Sequence, residues 1–299
     1  MINSNIFLPF SGGSLAERLL RNRGRLRYAI ASHLVRKLNK AFEEFMQDKW
    51  RPAVSREVSD YRISLTSWRP RLPDLPLVLL TLLQQTLRPK EIVVWLTVED
   101  HNAFAGNIRE QFGKFGVRFQ ICDDLKVHTK WLPMIEEGHH KPFVICDDDI
   151  IYPREWFAAL AAEDRPDAYV GGKCHRIVVE PNGLVAPYSA WEKQIRTDGQ
   201  PSHSIFITGC GGAVIHPDRI SHRFLDRAEI RRVCPRADDI WLKAAHLAAG
   251  IPCYKTRYSF PCLELPGTDE SGLAISNVDS GGNDEQIRNL DQYFSMISR

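Results

Sequence analysis

The chain has 299 residues, 43% hydrophobic and 25% charged, with a net charge of +2 and a pI of about 8.1. This is globular composition, enough for one large domain or a domain with a small appendage. It excludes a chain-wide polyanion binder. Charge is nonetheless uneven: Arg18, Arg21, Arg23, Arg25, Arg27, Arg36, Lys37 and Lys40 face the single acid Glu17, so the remainder is slightly acidic.

The elements begin with a helical pattern over residues 14–50. Leu15, Leu19, Leu26, Ala29, Ile30, Leu34, Leu38, Ala41, Phe42 and Phe45 recur at spacings of three and four or their sums, with cations between them. Gly24 is a point of interruption and Pro52 a stop. Such a helix either packs on the main domain with a solvated basic face or lies on an anionic membrane surface. Ile6–Phe10 is too short for a signal-peptide core, and no run reaches the roughly 18 apolar residues of a membrane span. The expected location is cytoplasmic, at most peripheral on the inner face of the membrane.

From Tyr61 the pattern alternates. Strands are expected at Arg62–Thr66, Glu91–Leu96, Val117–Ile121 and Pro142–Cys146, with helices at Leu75–Gln85, His101–Phe112 and Lys130–Glu137. Strand–helix–strand spacing of this kind means βαβ units and a mostly parallel sheet covered on both faces. Ligands of such sheets sit beyond the carboxyl ends of the strands, where Thr66–Arg69, Thr97 and Asp147–Asp149 fall. The seven cysteines form no C-x-x-C pair and sit in apolar contexts, as reduced core residues do. The segment after Gly267 turns polar and glycine-rich ahead of a last short helix.

Three adjacent carboxylates after a buried strand are unfavourable unless a cation compensates them. On an extended chain Asp147 and Asp149 point to the same side and suit Mn²⁺ or Mg²⁺, while Asp148 points away. The competing reading is a solvated acidic turn. Asp238 and Asp239 open a further helical stretch, either as caps or as reactive acids. Gly209–Gly212 lies between two apolar runs, and neither a P-loop nor a dinucleotide fingerprint is present.

The segment Phe143–Pro153 resembles the D-x-D region of GT-A-fold glycosyltransferases, especially family-2-like bacterial enzymes that build surface polysaccharides. The likeness covers most of residues 61–265 and includes Ile63–Trp68, the Leu-Pro-x-Leu helix start, Gln84–Thr86, Thr129–Lys130, Thr208–Gly212 and Ala237–Leu242. It implies a Rossmann-like GT-A domain over residues 59–299, preceded by a helical extension over 1–58. It also implies transfer of a sugar from a nucleotide-diphosphate donor to a saccharide or lipid-linked hydroxyl. Asp147 and Asp149 would hold the metal, with Asp147 also reaching the donor. Thr66, Trp68, Lys130, Gly211 and Gly212 would contact the donor. Asp239, assisted by Asp238, would take the acceptor's proton in an inverting reaction. The likeness departs from the family in supplying no histidine after His246 as a further metal ligand; Asn283–Asp284 is the substitute considered. His139, His140 and His175 read as ordinary histidines. The alternatives are a nucleotidyltransferase, disfavoured by the glycine-free Ser67–Pro70, and a non-catalytic membrane-associated module. Nucleic acid is not an expected partner.

Overall fold

A computed structural model describes residues 24–52, 57–197, 199–267 and 281–298. The fold is α/β and of the Rossmann-like class expected, with an N-terminal helix, α1 (Gly24–Met46), ahead of a mostly parallel sheet. In chain order the sheet strands are β1 (Arg62–Thr66), β2 (Ile92–Leu96), β3 (Val117–Ile121), β4 (Phe143–Ile145), β6 (Tyr169–Gly171), β9 (Ala213–Ile215) and β10 (Cys253–Lys255). They lie in the order β10-β6-β9-β4-β1-β2-β3. All neighbours are parallel except β9, which runs antiparallel to both β4 and β6. Two short ribbons complete the strands. One pairs β5 (Ile150–Ile151) with β11 (Leu263–Glu264), the other β7 (Cys174–Arg176) with β8 (Ile205–Ile207).

The period-two alternation of strand side chains divides the core between the two sheet faces. On β2, Ile92, Val94 and Leu96 join the cluster formed with α1 and α2 (Leu75–Leu83), whereas Val93 and Trp95 point into the other. Every residue of α2 is buried, so its pattern shows little amphipathicity. Further along the chain, α6 (Trp156–Ala162) adds Trp156, Phe157 and Leu160 to the first cluster, and α7 (Arg227–Val233) adds Ile230 and Val233 to the second. The second face is covered by α8 (Asp238–Ala248) together with Ile287 and Phe294 from the C-terminal helices α9 (Gly282–Asn289) and α10 (Asp291–Phe294).

Helix α1 buries Ala31, Leu34, Leu38, Ala41 and Phe45, a three-four stripe, in the same cluster as β1 and α2. Phe45 packs against Trp50, Phe112 and Phe115. His33, Arg36, Lys37 and Lys40 stay exposed. The apolar stripe that a membrane-surface helix would present is therefore occupied by the protein core. Residues 14–23, and with them the interruption expected at Gly24, lie outside the described residues; the described part of the helix begins at Gly24. The helix ends at Met46, before Pro52, and Asp48 follows with φ +57°. The single helix expected over His101–Phe112 is two, α3 (Val98–Ala103) and α4 (Gly106–Gly113), because Phe104 takes an extended backbone (ψ 124°). The helix expected at Lys130 starts two residues later as α5 (Leu132–Glu136), preceded by a 3-10 turn over Lys126–Lys130. No helix among the described residues is long and apolar enough to cross a membrane, and all seven cysteines are free.

His246 on α8 is buried, stacks on Tyr169 with ring centroids 3.9 Å apart and donates from Nδ1 to the Leu242 carbonyl oxygen at 2.7 Å. Burial lowers its pKa to about 3. The unfolded chain then binds the extra proton between about pH 6.5 and 3, so stability falls as pH drops through that window. His246→Phe removes this titration. The stability of the wild type relative to this variant should fall by about 1.4 kcal/mol per pH unit below pH ~6, measured by urea denaturation; a constant difference would refute the assignment.

Candidate active site

The carboxyl edge of the parallel strands gathers the acids. Strand β4 ends at Ile145, and the chain turns at Asp148–Asp149 before β5. This turn corrects the extended-chain expectation, because alternation fails where the backbone bends. Asp147 turns to Lys130 (2.6 Å), while Asp148 and Asp149 share Nη1 of Arg71 at 2.7 and 2.9 Å. Asp148 is buried in a structural ion pair.

Lys130 is only 5% exposed and reaches a second acid, Asp238 at the start of α8, at 3.2 Å. Its position is set from below: Trp95 Nε1 donates to Ser64 Oγ (3.0 Å), which donates to the Lys130 carbonyl oxygen (2.7 Å). Burial alone would depress its pKa, but Asp147 and Asp238 outweigh burial and hold the ammonium well above its ordinary value. Lys130 thus holds two aspartates together from elements 91 residues apart in sequence.

The remaining acids are less well compensated. Burial, with Asp147 nearby, pushes Asp149 up to about 8. Burial pushes Asp238 up to about 6 against Lys130, and burial plus Asp238 takes Asp239 to about 8. Asp239 accepts from the Ile240 backbone N–H (2.9 Å); among the described residues it makes no ion pair. Asp147, Asp148, Asp149, Asp238 and Asp239 are set against Lys130 and Arg71, an acid excess that a divalent cation would offset. The side chains of Asp147 and Asp149 are 25% and 17% exposed, against 7% for Asp148, so these two are the hard oxygen donors open to such an ion. Among the described residues no three His, Cys, Asp or Glu side chains form a ready metal cage. Hard carboxylate oxygens of this kind are the donors that Mg²⁺ or Mn²⁺ takes. Asp284 accepts from the Tyr188 backbone N–H (2.7 Å) and Asn283 is buried on α9, so each has a structural placement.

The glycines at 209–212 divide by role. A Cβ on Gly211 would lie 2.2 Å from Lys173 N, and one on Gly212 2.4 Å from the Trp156 ring, with Gly212 at φ +79°. Their closest neighbours are protein atoms, and Gly211 accepts from Trp156 Nε1 at 2.8 Å. Gly209 is the one that faces the acids, 3.0 Å from Lys130 Nζ by the same construction. Tyr152 joins this turn to the acid segment: its hydroxyl accepts from Asp147 N–H (2.9 Å) and donates to the Cys210 carbonyl oxygen (3.4 Å). Gln85 fixes the other side, donating to the Pro153 carbonyl oxygen and accepting from Phe157 N–H, both 2.9 Å.

Thr66 spends its hydroxyl proton on the Trp95 carbonyl oxygen (3.0 Å), and Thr97 caps α3 at Asp100. Trp68 is 48% exposed, and Val98 and Ile121 are exposed beside strand ends β2 and β3. Arg71, Ser64 and Tyr152 escape sequence reasoning as site-shaping residues, since no motif marks a distant counter-cation or a supporting hydroxyl.

No protein-family profile matches the chain, and no curated protein matches it. Solved structures match at low identity. A mannosyltransferase from Pyrobaculum calidifontis in complex with GDP-Man and Mn²⁺ is 13% identical with a TM-score of 0.43, over 81% of this chain and 70% of that one. A CMP:2-keto-3-deoxy-manno-octonic acid synthetase complexed with CTP is 11% identical with a TM-score of 0.40, over 74% of this chain and all of that one. The 2-C-methyl-D-erythritol 4-phosphate cytidylyltransferase of Thermus thermophilus gives 14%, 0.39, 74% and 100% respectively. What this site does is read from its own residues.

Lys130→Met should cost about 3–5 kcal/mol of stability, because it leaves Asp147 and buried Asp238 without their cation. The added change Asp238→Asn should restore part of that loss in urea denaturation. An unchanged stability in the single variant would remove Lys130 from the role of charge bridge.

Proposed function

We propose that the chain is a divalent-metal-dependent glycosyltransferase that moves a sugar from a nucleotide-diphosphate donor to a saccharide or lipid-linked hydroxyl, with inversion. The observation that carries this reading is the union of two unlike acid pairs around one buried lysine. Asp147 and Asp149 are partly exposed and share their cations, Lys130 and Arg71, with Asp238 and Asp148; burial and Asp238 raise the pKa of Asp239 to about 8 at a helix start. The first pair suits a metal, and the last acid suits a proton acceptor once it ionises around pH 8.

Asp147 and Asp149 would hold Mn²⁺ or Mg²⁺, which when bound supplies charge to offset that developing on a leaving nucleoside diphosphate. Trp68, half exposed beyond β1, offers a ring face to a nucleobase beside Thr66. Lys130 orients Asp147 and Asp238 rather than waiting free for a phosphate. Gly209, with Gly211 and Gly212 behind it, keeps the wall beside Lys130 free of side chain. Asp238 is paired with Lys130, which leaves Asp239 to accept the acceptor's hydroxyl proton as that oxygen attacks the anomeric carbon. The bond to the diphosphate breaks with its electron pair, and attack from the opposite side inverts the centre. No bilayer-inserting role is proposed for α1, whose apolar stripe is in the core; its exposed cations offer electrostatic contact with an anionic surface.

The test is a thermal-shift series with UDP, GDP, CMP and dTDP, each with and without Mn²⁺. One nucleotide should raise Tm by several degrees at a hundredfold excess over Kd, about 2.7 kcal/mol of linkage, only with metal, and Asp149→Ala should abolish the shift. Silence from every nucleotide would return the aspartates to a structural role. Once a donor is known, the transfer rate should rise with pH towards about 8 as Asp239 loses its proton. Asp238→Asn withdraws a neighbouring negative charge and should move that limb to lower pH; an unmoved limb would assign the titration elsewhere.

A further inference from the structure

Behind the glycine turn stands a thiol cluster that the transfer reaction does not use. Cys210, partly exposed in the turn, has Lys173 Nζ 3.3 Å from its sulfur and the Thr208 hydroxyl at 3.6 Å. The buried Cys262 thiol lies against the same residue, donating to the Cys210 carbonyl oxygen at 3.5 Å. Two thiols in contact beside a lysine ammonium form an attacking and a resolving pair. Among the five other cysteines, Cys122 is the other partly exposed one.

We infer that Cys210 and Cys262 form a hydroperoxide-reactive thiol site, in which Cys210 is the attacking sulfur and Cys262 closes it into a disulfide. The Cys210 thiolate attacks one oxygen of hydrogen peroxide; the O–O bond breaks, hydroxide leaves and is neutralised to water by the proton that the Cys210 thiol released on ionising, and Cys210 becomes a sulfenic acid. The Cys262 sulfur then attacks the Cys210 sulfur, its proton leaving with the hydroxyl as water while the S–O bond breaks and the S–S bond forms. Two thiols are oxidised and one peroxide is reduced to two waters. The hydrogen bond from Cys262 and the Lys173 ammonium bring the Cys210 thiol down to about 5 against burial, whereas burial takes Cys122 up to about 12.

The pair straddles the acid site. Cys210 follows Gly209, which abuts Lys130, and Cys262 precedes β11, just after which Leu265 N–H donates to the Asp149 carbonyl oxygen at 2.7 Å. A bond between them ties the two walls together, so oxidation should alter nucleotide binding; this consequence, unlike the thiol chemistry, rests on the donor-site reading.

Reduced full-length protein is treated with limiting hydrogen peroxide and mapped by peptide mass without reductant. Expected are a Cys210–Cys262 cross-linked peptide reversed by dithiothreitol and consumption of Cys210 on the order of a hundredfold faster than Cys122, the thiolate gain being partly offset by lower nucleophilicity. Cys262→Ser should accumulate a dimedone-trappable sulfenic acid at Cys210, and Lys173→Met should slow Cys210 about tenfold. Circular dichroism checks that both variants fold, and the wild-type Cys210 to Cys122 ratio needs neither. Equal rates at Cys210 and Cys122, or oxidation of Cys210 with no cross-link to Cys262, would overturn the proposal. In the binding arm, oxidised protein should lose at least about threefold in nucleotide affinity relative to reduced protein. An unchanged affinity removes the coupling, while absence of binding in the reduced protein fails the donor reading and leaves the cross-link to decide the thiol site.

Discussion

A buried ammonium between two aspartates organises this molecule's functional edge. Lys130 is nearly inaccessible, and a lone charge there would be strongly disfavoured. Asp147 at 2.6 Å and Asp238 at 3.2 Å make the site tolerable, so the strand end carrying Asp147 and the helix start carrying Asp238 hold each other in place. The Ser64 hydroxyl and the Trp95 indole support the lysine's backbone from the sheet. Every later feature of the site follows from this bridge. Asp149 is drawn to Arg71 on one side, and on the other Asp239 makes no ion pair among the described residues.

The same edge shows how packing reaches chemistry. Gly211 and Gly212 fit close backbone and indole contacts, and their smallness lets Gly209 approach Lys130 and Asp147. Tyr152 and Gln85 then lock the acid segment to the glycine turn and to the end of α2. Polar groups buried this way are satisfied by backbone partners, which gives a single arrangement rather than several of similar energy. The acid excess is maintained by this rigidity, since the carboxylates cannot relax away from one another.

Much of the fold was legible because its signals are local. Strand β2 shows a run of apolar residues bounded by polar ones, and β1 and β3 agree with the expected spans to the residue. The placement of Thr66, Thr97 and Asp147 at one edge follows from parallel strands alone. Less legible was the break at Phe104, where nothing in the local pattern announces an extended residue, and the antiparallel insertion of β9 between β4 and β6. Three apolar residues read alike in either direction, and only their neighbours set the direction.

By itself, the sequence determined the period of each element, the acids at the end of β4 and the start of α8, and the amphipathic pattern of α1. Tertiary structure decided what those patterns serve. An apolar stripe on α1 suits either a bilayer surface or a protein core, and burial against α2, α4 and β11 puts it in the core. Lys130, Arg71 and the pairing of Cys210 with Cys262 were likewise decided only in three dimensions. Charge compensation acts over a few ångströms of space between residues far apart in the chain, and no local pattern carries that information.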